Sequence, residues 1–172
     1  MARFPKPIVA AVSGPAIGVG ATLLPHCDVC YCSEKTYIWS PFSRIALLPE
    51  FASSYTFPRL LGTSTANELI LFSKKISAQR AKERGLVSDV FPSENFLERC
   101  LKEVRSGLVY PLLDKSLPLF KQTMKKWDAE IIDKIIVDEL RTLDERMERG
   151  EPAEAIVEFV QKEAAKKAKG KL

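Results

Sequence analysis

One histidine, His26, stands in a chain of 172 residues. A lone imidazole supplies no pattern for a Ser-His-Asp hydrolase, and His26, between Pro25 and Cys27 just ahead of a strand, reads as a surface or satisfied histidine. No run approaches the roughly 20 apolar residues that a membrane helix needs, so no membrane insertion is expected. The opening MARFPKP has no signal-peptide hydrophobic region, and nothing in it predicts secretion. The phosphate-binding patterns G-x-G-x-x-G and Gly-Lys-Ser/Thr are both missing in register. Cysteine is sparse too: Cys27 and Cys30 form one C-x-x-C, with Cys32 beside it and Cys100 far along the chain. If these residues are in a strand, Cys27 and Cys30 point to opposite faces, which spoils chelation. They read as small, reduced core residues, and no metal site is expected. Net charge is absent from most of the chain. The whole +4 lies in residues 161–172, where five lysines (Lys162, Lys166, Lys167, Lys169, Lys171) face Glu163 alone. Such a tail suits phosphate, but no aromatic platform or known motif stands beside it. It reads as a solvated terminus, with no nucleic-acid partner expected.

Apolar content of 46% and charged content of 28% are those of a soluble domain with one core. The chain divides into two parts, 1–92 and 93–172. In the first, residues 8–12, 28–32 and 37–39 read as strands, with a helix over 18–24. Helices are predicted over 53–60, over 64–72 with Ser64 as N-cap, and over 77–84, ended by Gly85. Residues 86–91 form a short strand or extended turn closed by Pro92. Beyond it, 94–109 and 111–125 read as two helices broken at Tyr110-Pro111. The segment 129–149 carries an i, i+4, i+7 stripe of Ile132, Ile136, Leu140, Leu143 and Met147. Gly150 stops it, Pro152 opens a last helix, and Ala155, Ile156, Phe159 and Val160 mark that helix's apolar face. The fold class is α/β in front and helical behind.

Residues 6–33, KPIVAAVSGPAIGVGATLLPHCDVCYCS, say most about chemistry. An apolar strand breaks at Ser13-Gly14-Pro15, and a turn spaced by Gly14, Gly18 and Gly20 leads into a helix N-terminus. That order predicts a close-packed strand-turn-helix. Unpaired N–H groups at a helix start carry partial positive charge and suit an anionic oxygen. With a second donor converging there, the turn becomes an oxyanion hole, which makes an enzyme the first expectation.

The order KPIVAAVSGPAIGVG, then CD and a strand, then a proline-containing loop, then ISAQRAKERGLVSDVFP resembles the crotonase (enoyl-CoA hydratase/isomerase) superfamily from residue 6 to about 92, and more loosely beyond. The stretch LLPEFASSYTFPRLLG is most similar to the Δ3,Δ2-enoyl-CoA isomerases of the peroxisomal type, which keep a glutamate after that proline. The resemblance implies a spiral of β-β-α units followed by a helical trimerisation region, hence a homotrimer or hexamer. It implies an acyl-CoA substrate, with CoA arriving on the substrate and no other cofactor. The family stabilises a thioester enolate with two backbone N–H groups. By position one is the N–H of Val19, and the other belongs to an earlier strand-to-helix segment expected ahead of these residues.

The family's hydratases use two glutamates, at positions held here by Thr22 and Phe42. Neither can pass a proton to or from water, so hydration is not expected. Glu50 stands where the isomerases keep their single base. Phe42, Leu47, Leu48, Phe51 and Phe57 are expected to wall it, raising its pKa and excluding water. In the last helix EFVQKEA resembles the segment that meets CoA, which implies Phe159 against adenine and Lys162 on phosphate. The final Gly-Lys-Leu approximates the peroxisomal Ser-Lys-Leu address, so a peroxisome, or alternatively a mitochondrion, is the expected location. The other reading is a non-catalytic module of the same fold that binds acyl-CoA or other subunits without turnover.

Overall fold

Each of the first two strands is overlaid, about twenty residues later, by a parallel partner. β1 (Val9–Val12) lies on β3 (Val29–Ser33), with Val9 opposite Val29 and Val12 opposite Cys32. β2 (Ala16–Ile17) lies on β4 (Tyr37–Trp39), with Ile17 opposite Trp39. Successive strands therefore enter different sheets, and the chain winds as a spiral. β6 (Asp89–Phe91) completes the first sheet in the order β1-β3-β6, all parallel. β5 (Ile76–Ser77) completes the second in the order β2-β4-β5, antiparallel to β4. This computed structural model describes residues 3–108 and 113–168. The break at Tyr110-Pro111, Lys169 and the C-terminal Gly170-Lys171-Leu172 lie outside them.

The strand sequences explain the winding. IVAAV and VCYC are short apolar runs, and in β3 Cys30 and Cys32 turn into the core while Val29 and Tyr31 on the other face are half-buried. The corner between β1 and β2 is stitched to the next turn of the spiral: Ser33 Oγ donates to the Ser13 carbonyl at 3.0 Å and Thr36 Oγ1 to that of Val12 at 2.8 Å. Between the layers Phe57, Ile38, Leu61, Leu69 and Ile76 are buried together with Ala21, Ala66 and Ala81. Small side chains there let helices lie close on the strands. Cys30 and Cys32 are part of this core, and the four cysteines are free thiols.

Among the described residues seven α-helices occur, four interleaved with the strands and three after them: α1 (Val19–Thr22), α2 (Ser53–Leu61), α3 (Thr63–Ile70), α4 (Ala78–Glu83), α5 (Phe96–Gly107), α6 (Leu113–Glu148) and α7 (Glu151–Ala168). Four local expectations are corrected. The helix over 18–24 divides into α1 and a 3-10 turn, Leu24–His26, with Pro25 in the turn. Ser64 lies inside α3, which Gly62 caps at φ 75°. The two helices read over 111–125 and 129–149 are one: α6 runs 36 residues, with Pro118 inside it. The residues at their junction, Lys125 to Asp128, include neither glycine nor proline, so nothing there ends a helix. On α7, Ile156 and Val160 are exposed, so the expected apolar face covers the body only through Ala155 and Phe159.

Arg59 of α2 pairs at 3.6 Å with Asp128 of α6, one of several polar contacts that pin α6 to the spiral. Near its start the buried Lys121 Nζ lies 2.7 Å from Asp28 Oδ2 and donates to the Lys6 carbonyl at 2.9 Å. Asp28 in turn accepts the Ile8 N–H at 2.7 Å, which ties α6 to the entry of β1 and β3. Eighteen residues further on, about 27 Å along the helix at 1.5 Å per residue, Glu139 reaches the start of α2.

Candidate active site

The loop Leu47-Leu48-Pro49-Glu50 runs into two consecutive left-handed residues, Phe51 at φ 57° and Ala52 at φ 55°. Neither is glycine, and each such residue costs on the order of 1–3 kcal/mol. Contacts from two other elements hold the pair. Nε2 of His26 lies 2.6 Å from the Phe51 carbonyl oxygen. A carbonyl only accepts, so Nε2 carries the proton and donates it. Burial lowers the His26 pKa, partly opposed by that same carbonyl, and the ring is neutral near pH 7. It also meets the Phe51 ring edge-on, at 5.6 Å between centroids and 74°. From the opposite side Glu139 Oε2 accepts the Ala52 N–H at 2.8 Å, while its Oε1 accepts the Ser54 N–H at 3.2 Å and the Ser54 hydroxyl at 2.5 Å. Glu139 thereby caps α2, and Ser53 N–H closes the turn on the Glu50 carbonyl at 3.0 Å.

Glu50 is half-buried at the entry to this strained turn. Its pKa is raised above the ordinary glutamate value, first by burial and then by the negative charge of Glu139. A carboxylate so placed is a stronger base than one in water. Of the side chains expected to wall it, Leu47 and Leu48 are half-buried and Phe51 is 39% exposed. Phe57 lies in the core instead, because α2 turns Ser53, Thr56, Phe57 and Leu61 inward. Phe42 is only 3% exposed and supports the loop from beneath, its carbonyl accepting the Leu47 N–H at 3.0 Å.

The glycine turn has the expected place but not the expected packing. Gly18 adopts φ 55° and its N–H donates to the Trp39 carbonyl at 2.9 Å. α1 then starts at Val19, whose N–H, the first of the helix, has no intrahelical acceptor. A Cβ at Gly14, Gly18 or Gly20 would meet nothing within 4 Å, so the turn borders open space rather than being close-packed. Thr22 is buried, and its hydroxyl donates to the Val19 carbonyl at 3.3 Å. Its hydroxyl is thus bound into its own helix, and the side chain carries no acid/base group.

Phe159 and Lys162 lie on α7, which packs on the 3-10 turn Phe42–Arg44. The Phe159 ring sits 6.4 Å from that of Trp39, whose carbonyl holds Gly18. Lys162 pairs with Glu158 on its own helix and is exposed. Among the described residues no hydrogen bond or ion pair joins Glu50, Val19, Phe159 and Lys162 to one another. Nor does any group of three or more His, Cys, Asp or Glu side chains converge there as a metal site would require.

Two residues beside Glu50 had no local signal in the sequence. His26 looked merely satisfied, and it is, but by the carbonyl next to Glu50. Glu139 is one of many charges on α6, and its partners Ala52 and Ser54 lie more than eighty residues earlier.

The family model described as Enoyl-CoA hydratase/isomerase matches residues 1–165. The chain is 37% identical over 157 residues to Enoyl-CoA delta isomerase 2 of Rattus norvegicus, covering 91% of this chain and 40% of that protein. It is 34% identical over 170 residues to Enoyl-CoA delta isomerase 3, peroxisomal, of Mus musculus, covering 98% of this chain and 51% of that protein. Over a shorter stretch of 103 residues it is 46% identical to Chromodomain Y-like protein 2 of Homo sapiens, covering 60% of this chain and 20% of that protein. The chain thus spans about half or less of the length of these relatives. A solved enoyl-CoA hydratase/isomerase from Pseudoalteromonas atlantica T6c superposes with a TM-score of 0.84 at 33% identity, over 92% of this chain and 62% of that one. With a parallel β spiral, a glycine turn feeding a helix start and a glutamate loop in that family's order, this chain belongs to the enoyl-CoA hydratase/isomerase family and has the crotonase fold.

Proposed function

We propose that the chain carries the acid/base site of a Δ3,Δ2-enoyl-CoA isomerase of unsaturated fatty-acid β-oxidation. The observation that carries this reading is the half-buried Glu50, its pKa raised by burial and by Glu139, with Thr22 and Phe42 at the positions where hydration needs carboxylates. The Glu50 carboxylate removes the C2 proton of a 3-enoyl thioester. The C2–H electron pair moves toward the carbonyl and gives a dienolate, whose oxygen the Val19 N–H and a second donor stabilise. Glu50 then returns the proton at C4. The C3=C4 bond becomes C2=C3, and the product is the conjugated 2-trans thioester. Phe159 would lie against adenine and Lys162 on a phosphate of CoA, Phe51 would border the acyl group, and the buried Phe42 would back the loop that carries Glu50. CoA enters on the substrate, and no other cofactor has a step. A homotrimer or hexamer is the working assembly. The peroxisome is the favoured location, supported by a relative with peroxisomal in its name; a mitochondrion is the alternative.

Product analysis tests the reaction class. Given a 3-enoyl-CoA, the protein is expected to form 2-trans-enoyl-CoA; given 2-trans-enoyl-CoA, it is expected to form no 3-hydroxyacyl-CoA. Hydration at a rate comparable with isomerisation would overturn the reading.

The 46% identity to Chromodomain Y-like protein 2, whose name is not that of an isomerase, favours a second reading. In it the same fold binds acyl-CoA or other subunits without turnover. Calorimetric binding of an acyl-CoA together with no isomerisation would select it.

A further inference from the structure

The turn after Glu50 is held in a costly conformation by two groups that touch no reacting atom in the mechanism above. His26 donates to the Phe51 carbonyl, and Glu139 accepts the N–H groups of Ala52 and Ser54. The Phe51 carbonyl and the Ala52 N–H belong to one peptide unit, so the two contacts hold that unit from its opposite sides in the middle of the left-handed pair, which begins immediately after Glu50. We propose that His26 and Glu139 are positioning residues that lock Phe51–Ala52 in its left-handed conformation and so fix where the Glu50 carboxylate points. This rests on the reading of Glu50 as the base.

Glu139 is not a second acid/base group. Both of its oxygens accept hydrogen bonds, from Ala52 on one side and from Ser54 on the other. A carboxylate so committed has no free oxygen to offer a substrate proton. Its charge acts on Glu50 through space, and among the described residues it is the one charged group that perturbs Glu50. Glu139 and Lys125 of α6 bear on His26 as well, with opposite effects. One α6 side chain therefore helps to aim the base and adds to the rise in its pKa that burial begins. An amide at position 139 would break both roles, since its NH2 presents donors where Ala52 or Ser54 also presents one.

The test uses the intact chain with 13C-carboxyl glutamate, the Glu50 resonance being the one lost in Glu50→Gln. In Glu139→Gln the Glu50 titration midpoint is expected to fall. The Ala52 and Ser54 amides should exchange with solvent about tenfold faster, while amides of the β1-β3-β6 sheet are unchanged. If the enzyme reading holds, kcat falls about 10- to 100-fold with KM nearly constant, as for a mispositioned base. Glu139→Asp, which keeps the charge on a shorter arm, should retain the raised midpoint and recover part of kcat. An unchanged Glu50 midpoint and unchanged Ala52 exchange in Glu139→Gln would overturn the proposal. Failure of the enzyme reading is distinct: the wild-type chain would not turn over, and the titration and exchange would still decide whether the clamp exists.

Discussion

At Glu50 two effects act in the same direction: burial disfavours the carboxylate, and so does the charge of Glu139. The consequence for stability has a definite sign. A glutamate whose folded pKa lies above its unfolded value binds more protons when folded, so stability falls as pH rises between the two values. The penalty is absent below the unfolded value near 4.3 and fully present above the folded one. Glu50→Gln is therefore expected to raise the melting temperature at pH 7 and to leave it unchanged at pH 3.5, as measured by calorimetry. A mutant less stable than wild type at pH 7 would mean that the carboxylate stabilises the loop. Glu50 itself was legible, because Pro49 and the following FASSYTFPRLLG carry a recognisable order. Its environment was not: the αL pair, the His26 bond and the Glu139 cap join residues 25 and more than eighty positions apart.

Among the elements, β1, β3, β4 and α2 lie where their apolar runs and turn residues put them, within a residue or two. β2 and β5 were missed because two residues show no alternation. α6 is one helix rather than the expected two because nothing between Lys125 and Asp128 interrupts it. It is held by polar anchors. The Lys121–Asp28 pair is the buried one, Lys121 being 5% exposed at its side chain and Asp28 16%. Removing one partner leaves a charge without its counter-ion in a low-dielectric place. Lys121→Met is predicted to destabilise the protein by about 3 kcal/mol in urea titration, and Asp28→Asn in the same chain should restore part of the loss. A change below about 1 kcal/mol would mean that Lys125, 3.7 Å from Asp28, takes over the pair.

For the whole molecule, the segments 1–92 and 93–172 read in the sequence differ in what covers them. The first buries its strands and short helices around one core. In the second, Phe120, Met124, Trp127 and Ile131 recur at i, i+4, i+7 and i+11 along α6 and are all exposed, Met124 at 76% and Trp127 at 73%. Large apolar side chains in such a row mark a contact surface. The proposed assembly predicts that sedimentation of the chain gives a trimer or hexamer, and that Met124→Glu with Trp127→Glu gives a monomer with the same circular dichroism. A monomeric wild type at tens of micromolar would remove the oligomer from the account. The central claim is that one carboxylate, Glu50, moves the double bond. Its most direct measurement is turnover of a 3-enoyl-CoA to the conjugated 2-trans thioester by the wild type and by Glu50→Gln side by side. The account predicts conversion by the wild type and a rate lower by at least about a thousandfold in the mutant, in the range a general acid/base group contributes. An equal rate in the two proteins would contradict it.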